Sequence, residues 1–166
     1  MGQGASGGFR NGRRGVGPQD LRSQIIIVDV NPRIYAVNAD APDHQRAKSW
    51  LETAVAGTET VGLPWLVLLA FLRLTTRQGL FQKPLAVEAA FDVVDAWLQQ
   101  PSVTVPEPTA AHLRTLRDLV EPLGTGGNLT SDAHLAALAI EHGAELCSAD
   151  GDFARFSRLR WRNPLA

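Results

Sequence analysis

Three aspartates stand where a metal-dependent reaction could use them. Asp29 directly follows four β-branched residues, Asp132 lies early in an apolar segment behind a glycine-rich stretch, and Asp150 follows another short apolar run. Converging carboxylates repel, at a cost of roughly 3 kcal/mol for two charges about 5 Å apart at an effective dielectric near 20. A divalent cation between them removes that cost, and Mg²⁺ or Mn²⁺ suits oxygen ligands best. Such a metal can activate water and stabilise charge on a phosphodiester.

Two of these acids also have purely structural explanations. Asp132 can interact favourably with the dipole at a helix N-terminus, and Asp150 with Asp152 can form a turn. Asp29 is harder to explain locally, because an acid directly after Ile25–Val28 has little reason to be there. The spacing of the acids therefore leaves both a metal site and a structural role open.

The elements that must position these acids alternate along the chain. Apolar runs predict strands at 25–30, 60–62, 102–105 and 145–148, and Trp161 can lie on a last strand. Helical spacing predicts helices at 44–56, from Pro64 to about 76, at 84–98, near 110–120 and at 131–142, the last capped by Thr130. Asn31 and Pro32 predict the cap and first residue of another helix. Alternating strands and helices predict an α/β fold whose parallel sheet forms sites at the carboxyl ends of its strands.

Length and composition indicate one packed domain. The chain has 166 residues, of which 45% are hydrophobic and 20% charged, which excludes a disordered protein. The single cysteine excludes an intrachain disulfide and a cysteine zinc cluster, so a reducing cytoplasm is the expected setting. The longest apolar run, residues 63–72, is shorter than the about 20 residues that a membrane-spanning helix needs. We therefore expect no association with a membrane.

Residues 1–24 differ from the rest of the chain. They contain seven glycines and carry four arginines against one aspartate, whereas residues 25–166 have a net charge of −4. Glycine-rich chain loses much entropy on ordering and has little to bury, so we predict a flexible extension and a domain over 25–166. The extension can be a basic arm that touches RNA, a solvated segment without a role, or upstream sequence included by a wrong start codon. Its composition favours the last two.

Four motifs, in one order, resemble the PIN-domain ribonucleases. They are VDVN at 28–31, LPW at 63–65 followed by FLR at 71–73, LTSDAHL at 129–135, and SADGDF at 148–153. Each motif is weak alone, but together they are similar to the VapC-type toxins of bacterial toxin–antitoxin pairs, particularly the mycobacterial branch. The resemblance covers about residues 25–166.

The resemblance implies a fold, an activity and partners. The fold is an α/β/α sandwich with a central parallel sheet flanked by helices. The activity is Mg²⁺-dependent endoribonuclease cleavage of structured RNA such as transfer or ribosomal RNA. A small VapB-type antitoxin blocks the site, and homodimers are usual in the family.

The resemblance also assigns site residues. Asp29 matches the first family acid, Asp132 the third and Asp150 the fourth, and Ser148 matches a hydroxyl residue on the last site strand. We predict one well-held Mg²⁺ on Asp29 and Asp132, with Asp150 helping directly or through water. Asp152 is a lower-ranked candidate ligand.

Two departures bear on activity. The second family acid falls at Ala70, and no acid lies between Glu59 and Glu88. Pro32 and Arg33 stand where the family usually has two apolar residues. Arg33 is expected either to point outward toward an RNA phosphate or to pair with a site carboxylate and compete with the metal. The departures favour an alternative function, a catalytically weakened PIN-like domain that binds RNA or antitoxin without cleaving.

Basic residues suggest where RNA could be held. Arg73 and Arg77 lie one helical turn apart, and Arg155 and Arg158 belong to an arginine-rich stretch near the C-terminus. These side chains can contact phosphates, or they can be an ordinary solvated surface. His134 is expected to be packed or solvent-facing rather than catalytic.

Overall fold

The computed structural model describes residues 25–79 and 81–166, and the expected extension at 1–24 lies outside them. Five strands form one sheet in the order β3-β2-β1-β4-β5, and every pairing is parallel. The central strand β1 pairs with β2 on one side and β4 on the other. The strands are β1 (Ile25–Val28), β2 (Thr60–Gly62), β3 (Val103–Thr104), β4 (Glu145–Cys147) and β5 (Trp161–Arg162).

Helices cover both faces of the sheet. Along β1 the side chains alternate, so that Ile26 and Val28 join one buried cluster and Ile27 joins the other. The first cluster packs against α1 to α4, and the second against α5 and α6. This layering confirms the predicted α/β/α sandwich. The α-helices are α1 (Val30–Val37), α2 (His44–Ala56), α3 (Trp65–Thr76), α4 (Val87–Leu98), α5 (His112–Val120) and α6 (Leu129–Glu141), with 3₁₀ turns at Glu121–Leu123 and Gly151–Arg155.

The junction between β1 and α1 differs from the prediction. The strand ends at Val28, and Asp29 caps α1 by accepting a hydrogen bond from the Val30 N–H at 2.6 Å. The predicted cap at Asn31 is therefore wrong. Pro32 is the third residue of the helix, where a backbone N–H has no partner within the helix, so proline is tolerated there. The Asp29 carboxylate consequently lies between the end of the sheet and the start of a helix.

The other boundaries lie close to the predicted ones, except for the start of α6. Helix α6 begins at Leu129 with Asn128 in the cap position, so the prediction that Thr130 caps it is wrong. Asp132 still lies in the first turn of α6. No helix in the described part of the chain is long and apolar enough to cross a membrane.

Candidate active site

Asp29 is held at the carboxyl edge of the sheet with little exposure to solvent. The residue is only 7% exposed. Its backbone N–H donates to the Cys147 carbonyl at 3.0 Å, which joins the end of β1 to the end of β4. Burial raises the pKa of Asp29, the charge of Asp150 adds to that effect, and hydrogen bonds from Ser148 and Val30 oppose it. The net result is a raised pKa, because the effect of burial outweighs that of the two hydrogen bonds.

Ser148 connects Asp29 to Asp150. The Ser148 hydroxyl is fully buried and donates to Oδ2 of Asp29 at 2.7 Å. The Ser148 hydroxyl oxygen also accepts a hydrogen bond from the Asp150 N–H at 3.0 Å. One hydroxyl therefore orients a carboxylate on one strand end and the backbone of the turn that follows the neighbouring strand.

Asp132 faces the same group of acids from α6. Its pKa is raised to about 6, first by burial and then by the charges of Asp29, Asp150 and Asp152. The four carboxylates therefore share one electrostatic neighbourhood, although they come from β1, α6 and the turn after β4. Proximity of like charges raises a carboxyl pKa because each ionised neighbour disfavours another negative charge.

Asp150 and Asp152 form the turn after β4. Oδ1 of Asp150 accepts a hydrogen bond from the Asp152 N–H at 2.9 Å, which starts the 3₁₀ turn Gly151–Arg155. Oδ1 of Asp152 in turn lies 3.1 Å from Nε of Arg155. The purely structural explanation of these two acids is thus partly met, because both take part in the turn. The second carboxylate oxygen of each acid has no hydrogen bond within the described residues.

The donor set at this site suits Mg²⁺ or Mn²⁺. It consists of carboxylate oxygens and one hydroxyl, the hard oxygen ligands that these ions prefer. Among the described residues, no three acidic, histidine or cysteine side chains stand close enough to form a complete metal cage. Mg²⁺ does not need such a cage, since proteins bind it through one or two carboxylates while it keeps several waters. The residues present therefore fit the ion.

Comparison with known proteins identifies the family of the chain. The model of the PIN domain family matches residues 26–159. The ribonuclease VapC37 of Mycobacterium tuberculosis is 47% identical over 140 residues, which cover 84% of this chain and 97% of that protein. The chain belongs to the PIN-domain family. It is a ribonuclease of the VapC type, as the four motifs predicted. The ribonuclease VapC33 of the same species is 40% identical, and the match covers 85% of this chain and 99% of that protein.

Solved structures show the same fold. A VapBC2 complex from Rickettsia felis, bound to a DNA fragment from its promoter, contains a chain that matches with a TM-score of 0.62 at 20% identity. That match covers 84% of this chain and 98% of the other. FitAcB from Neisseria gonorrhoeae matches with a TM-score of 0.54 at 22% identity, over 84% and 97% of the two chains.

The prediction for Arg33, the unusual residue of this PIN domain, is wrong in both of its forms. Arg33 is fully buried, so it does not point outward toward RNA. It also forms no ion pair with a carboxylate of the described residues, and its three side-chain nitrogens lack hydrogen-bond partners there. Its guanidinium lies 4.3 Å from the ring centroid of Trp97 instead. Arg33 therefore lies on the core face of α1, toward α4.

The remaining arginines differ in how they are engaged. Arg155 pairs with Asp152, and Nη1 of Arg158 lies 3.9 Å from Oδ2 of Asp118. Arg73 and Arg77 form no ion pair with the described residues, and both are exposed on or beside α3. The RNA-contacting role of all four stays a prediction.

Sequence reasoning missed one polar network outside the site. Nδ1 of His112 lies 2.9 Å from Oε2 of Glu141, and Nε2 of His112 lies 2.8 Å from Nδ1 of His134. Burial and the charge of His112 lower the pKa of His134. The network joins α5 to α6, so His134 is packed, as expected. Only the spacing of His134 and Glu141, two turns apart on α6, hinted at it.

Proposed function

We propose that this protein is the toxin of a toxin–antitoxin pair and acts as a Mg²⁺-dependent endoribonuclease on structured RNA, either transfer or ribosomal RNA. The observation that supports this most is the buried Asp29 carboxylate, which shares one neighbourhood with Asp132 and Asp150 in a chain of the VapC type. Buried carboxylates that repel one another are expected where a cation belongs.

The protein's own residues have distinct roles in this proposal. Asp29 and Asp132 hold the ion, and Ser148 keeps the Asp29 carboxylate in one orientation. Asp150 orients the attacking water or accepts its proton. When bound, the metal lowers the pKa of water and stabilises the charge that develops on the phosphate. Asp152 is a weaker candidate ligand because its carboxylate already pairs with Arg155.

RNA is selected by shape rather than by bulk charge. Residues 25–166 carry a net charge of −4, so non-specific attraction to the phosphate backbone is weak. Structured RNA is recognised through its shape and through local phosphate contacts. We assign those contacts to Arg73 and Arg77, with Arg155 and Arg158 as further candidates.

We propose a VapB-type antitoxin as the partner that blocks the site, a homodimer as the working assembly, and the cytoplasm as the setting. Two matched structures contain paired proteins of this kind, the VapBC2 complex and the complex described as FitAB bound to a DNA fragment. Co-purification of the chain with the product of its neighbouring gene would test the partner.

The activity is tested by incubating purified protein with total RNA in the presence of Mg²⁺. Wild type should cut a small set of structured RNAs, and Asp29→Asn should reduce cleavage by at least about 100-fold because it removes a charged ligand. Asp40→Asn is the matched control, since Asp40 is an exposed loop acid away from the site. The proposal would be overturned if the purified wild-type protein left the RNA intact while its expression in cells still inhibited growth.

A second candidate function is binding without cleavage. Ala70 favours it, because α3 offers no acid where the family has its second one. In that case wild type and Asp29→Asn would bind RNA or antitoxin equally well, and neither would cut. The same cleavage assay separates the two functions.

A further inference from the structure

The carbonyl of Ser148 is held by a side chain rather than by the sheet. Strand β4 pairs in parallel with β5, with Leu146 opposite Trp161. The Leu146 N–H donates to the Arg160 carbonyl at 2.8 Å, and the Ser148 N–H donates to the Arg162 carbonyl at 3.2 Å. In a parallel ladder with this register, the Ser148 carbonyl would accept its bond from the N–H of residue 164.

Residue 164 cannot make that bond. It is Pro164, which has no backbone N–H. The indole Nε1–H of Trp161 donates to the Ser148 carbonyl at 3.1 Å instead. A side chain of β5 therefore replaces the hydrogen bond that the β4–β5 pairing lacks at Pro164.

The replaced rung lies directly behind the candidate active site. Ser148 is fully buried, and its hydroxyl bridges the Asp29 carboxylate and the Asp150 N–H. A buried carbonyl without a donor is costly, so loss of the indole bond would let the peptide between residues 148 and 149 rotate. Rotation would move the Asp150 N–H away from the Ser148 hydroxyl and weaken the link between the turn and the Asp29 carboxylate.

We propose that Trp161 is a positioning residue, which holds Ser148 and the turn to Asp150 in the geometry that cleavage requires. The effect on cleavage rests on the proposed function, whereas the effect on the turn does not. Trp161 also packs against the core beneath α6. Its hydrogen bond must therefore be tested apart from its packing.

The wild-type protein provides the first test, without metal or substrate. The Trp161 Nε1–H should exchange with solvent much more slowly than the indole N–H of the exposed Trp65, as measured by NMR. Equal exchange at the two indoles would overturn the proposal. This measurement does not depend on any variant folding.

The second test uses Trp161→Phe, which keeps an aromatic ring and removes the N–H donor. In the metal-free protein, the amides of Asp150 and Asp152 should exchange about 3- to 10-fold faster, the range expected for loss of one neutral hydrogen bond. In the cleavage assay kcat should fall by about 3- to 10-fold, while KM for RNA stays within about twofold. Trp50→Phe is the matched control. Trp50 is partly buried against the core cluster that contains Ile26 and Val28, and its indole nitrogen has no hydrogen bond among the described residues.

The outcomes separate this proposal from the proposed function. Unchanged amide exchange and unchanged kcat in Trp161→Phe would overturn the positioning role. An equal fall in kcat for both Trp→Phe variants would also overturn it, since general loss of packing would then suffice. If wild type does not cleave RNA, the proposed function fails, and amide exchange alone decides whether Trp161 holds the turn.

Discussion

Among the single residues of the site, Asp29 and Asp132 carry carboxylates whose ionised forms are disfavoured by their surroundings. Burial and mutual repulsion raise the pKa of both Asp29 and Asp132. No lysine or arginine of the described residues pairs with either acid. Only hydrogen bonds from Ser148 and Val30 offset the burial of Asp29. Both acids therefore bind a proton more readily than an ordinary aspartate does, and a bound cation should favour their ionised forms.

This charge makes a prediction about pH. The pKa of Asp132 is about 6 in the folded chain, above its ordinary value of 3.8. The folded state therefore binds more protons between those pH values, and the stabilising contribution of Asp132 is lost as pH rises from about 4 to about 6. Urea unfolding of metal-free wild type and Asp132→Asn should show this as a stability difference that declines across the window.

Mg²⁺ should reverse the trend for the wild type, because the ion favours the ionised carboxylates. Cleavage should rise as pH passes through about 6, with a lower midpoint at higher Mg²⁺ concentration. A stability difference that is constant from pH 4 to 7 would contradict the assignment of Asp132 to this cluster.

At the scale of elements, α1 combines two buried polar residues with different consequences. Asp29 at its cap accepts hydrogen bonds from Val30 and Ser148. Arg33, one turn later, has no hydrogen-bond partner among the described residues and lies over the ring of Trp97 on α4. Burial lowers the pKa of Arg33 to about 9, so it stays charged at neutral pH. A buried charge without a partner costs free energy that a stacked ring only partly offsets.

Replacing Arg33 should therefore stabilise the contact between α1 and α4. Arg33→Met keeps an unbranched side chain and removes the charge, and we expect a gain of about 1–3 kcal/mol in the free energy of unfolding. Arg33→Leu and Arg33→Met should both leave Mg²⁺-dependent cleavage intact. Denaturant unfolding checks the first expectation, with the exposed Arg114→Met as control. A destabilised Arg33→Met, or a large loss of cleavage, would show that the charge has a partner in solution.

For the molecule as a whole, the question is which basic side chains are free to contact RNA. The domain is net negative, yet its substrate is a polyanion. Much of the basic surface near the C-terminus is already paired, as Arg155, Arg158 and Arg162 illustrate. Arg73 and Arg77 remain as the exposed arginines beside α3 without an ion pair among the described residues.

Salt dependence measures how many phosphates the protein contacts. Binding of transfer RNA to an Asp29→Asn background avoids cleavage and can be followed by fluorescence anisotropy. Adding Arg73→Ala and Arg77→Ala should make the slope of log K against log salt shallower by about 1 to 2. Lys48→Ala, an exposed cation on α2, should leave the slope unchanged. An unchanged slope in the double arginine variant would place the RNA elsewhere.

The order of strands and helices could be predicted from the sequence, and so could the candidate acids, whose roles at the site stay predictions. Apolar runs and helical spacing are local patterns, so they predicted the order of strands and helices within a few residues. Parallel strands end at one edge, so the same order predicted that Asp29 and Asp150 lie there together. The starts of α1 and α6 were misplaced, because Asp29 and Asn31 near one helix start, and Asn128 and Thr130 near the other, can each serve as a cap.

The surroundings of those acids depend on contacts between residues far apart in the sequence. The burial of Arg33 depends on how α1 turns against α3 and α4, which no local pattern records. The Ser148 hydroxyl reaches Asp29 across 119 positions of sequence, and the Trp161 indole reaches Ser148 because Pro164 leaves a rung empty. Side chains brought together from separate elements must share one set of hydrogen bonds and charges, so their roles follow from packing rather than from spacing.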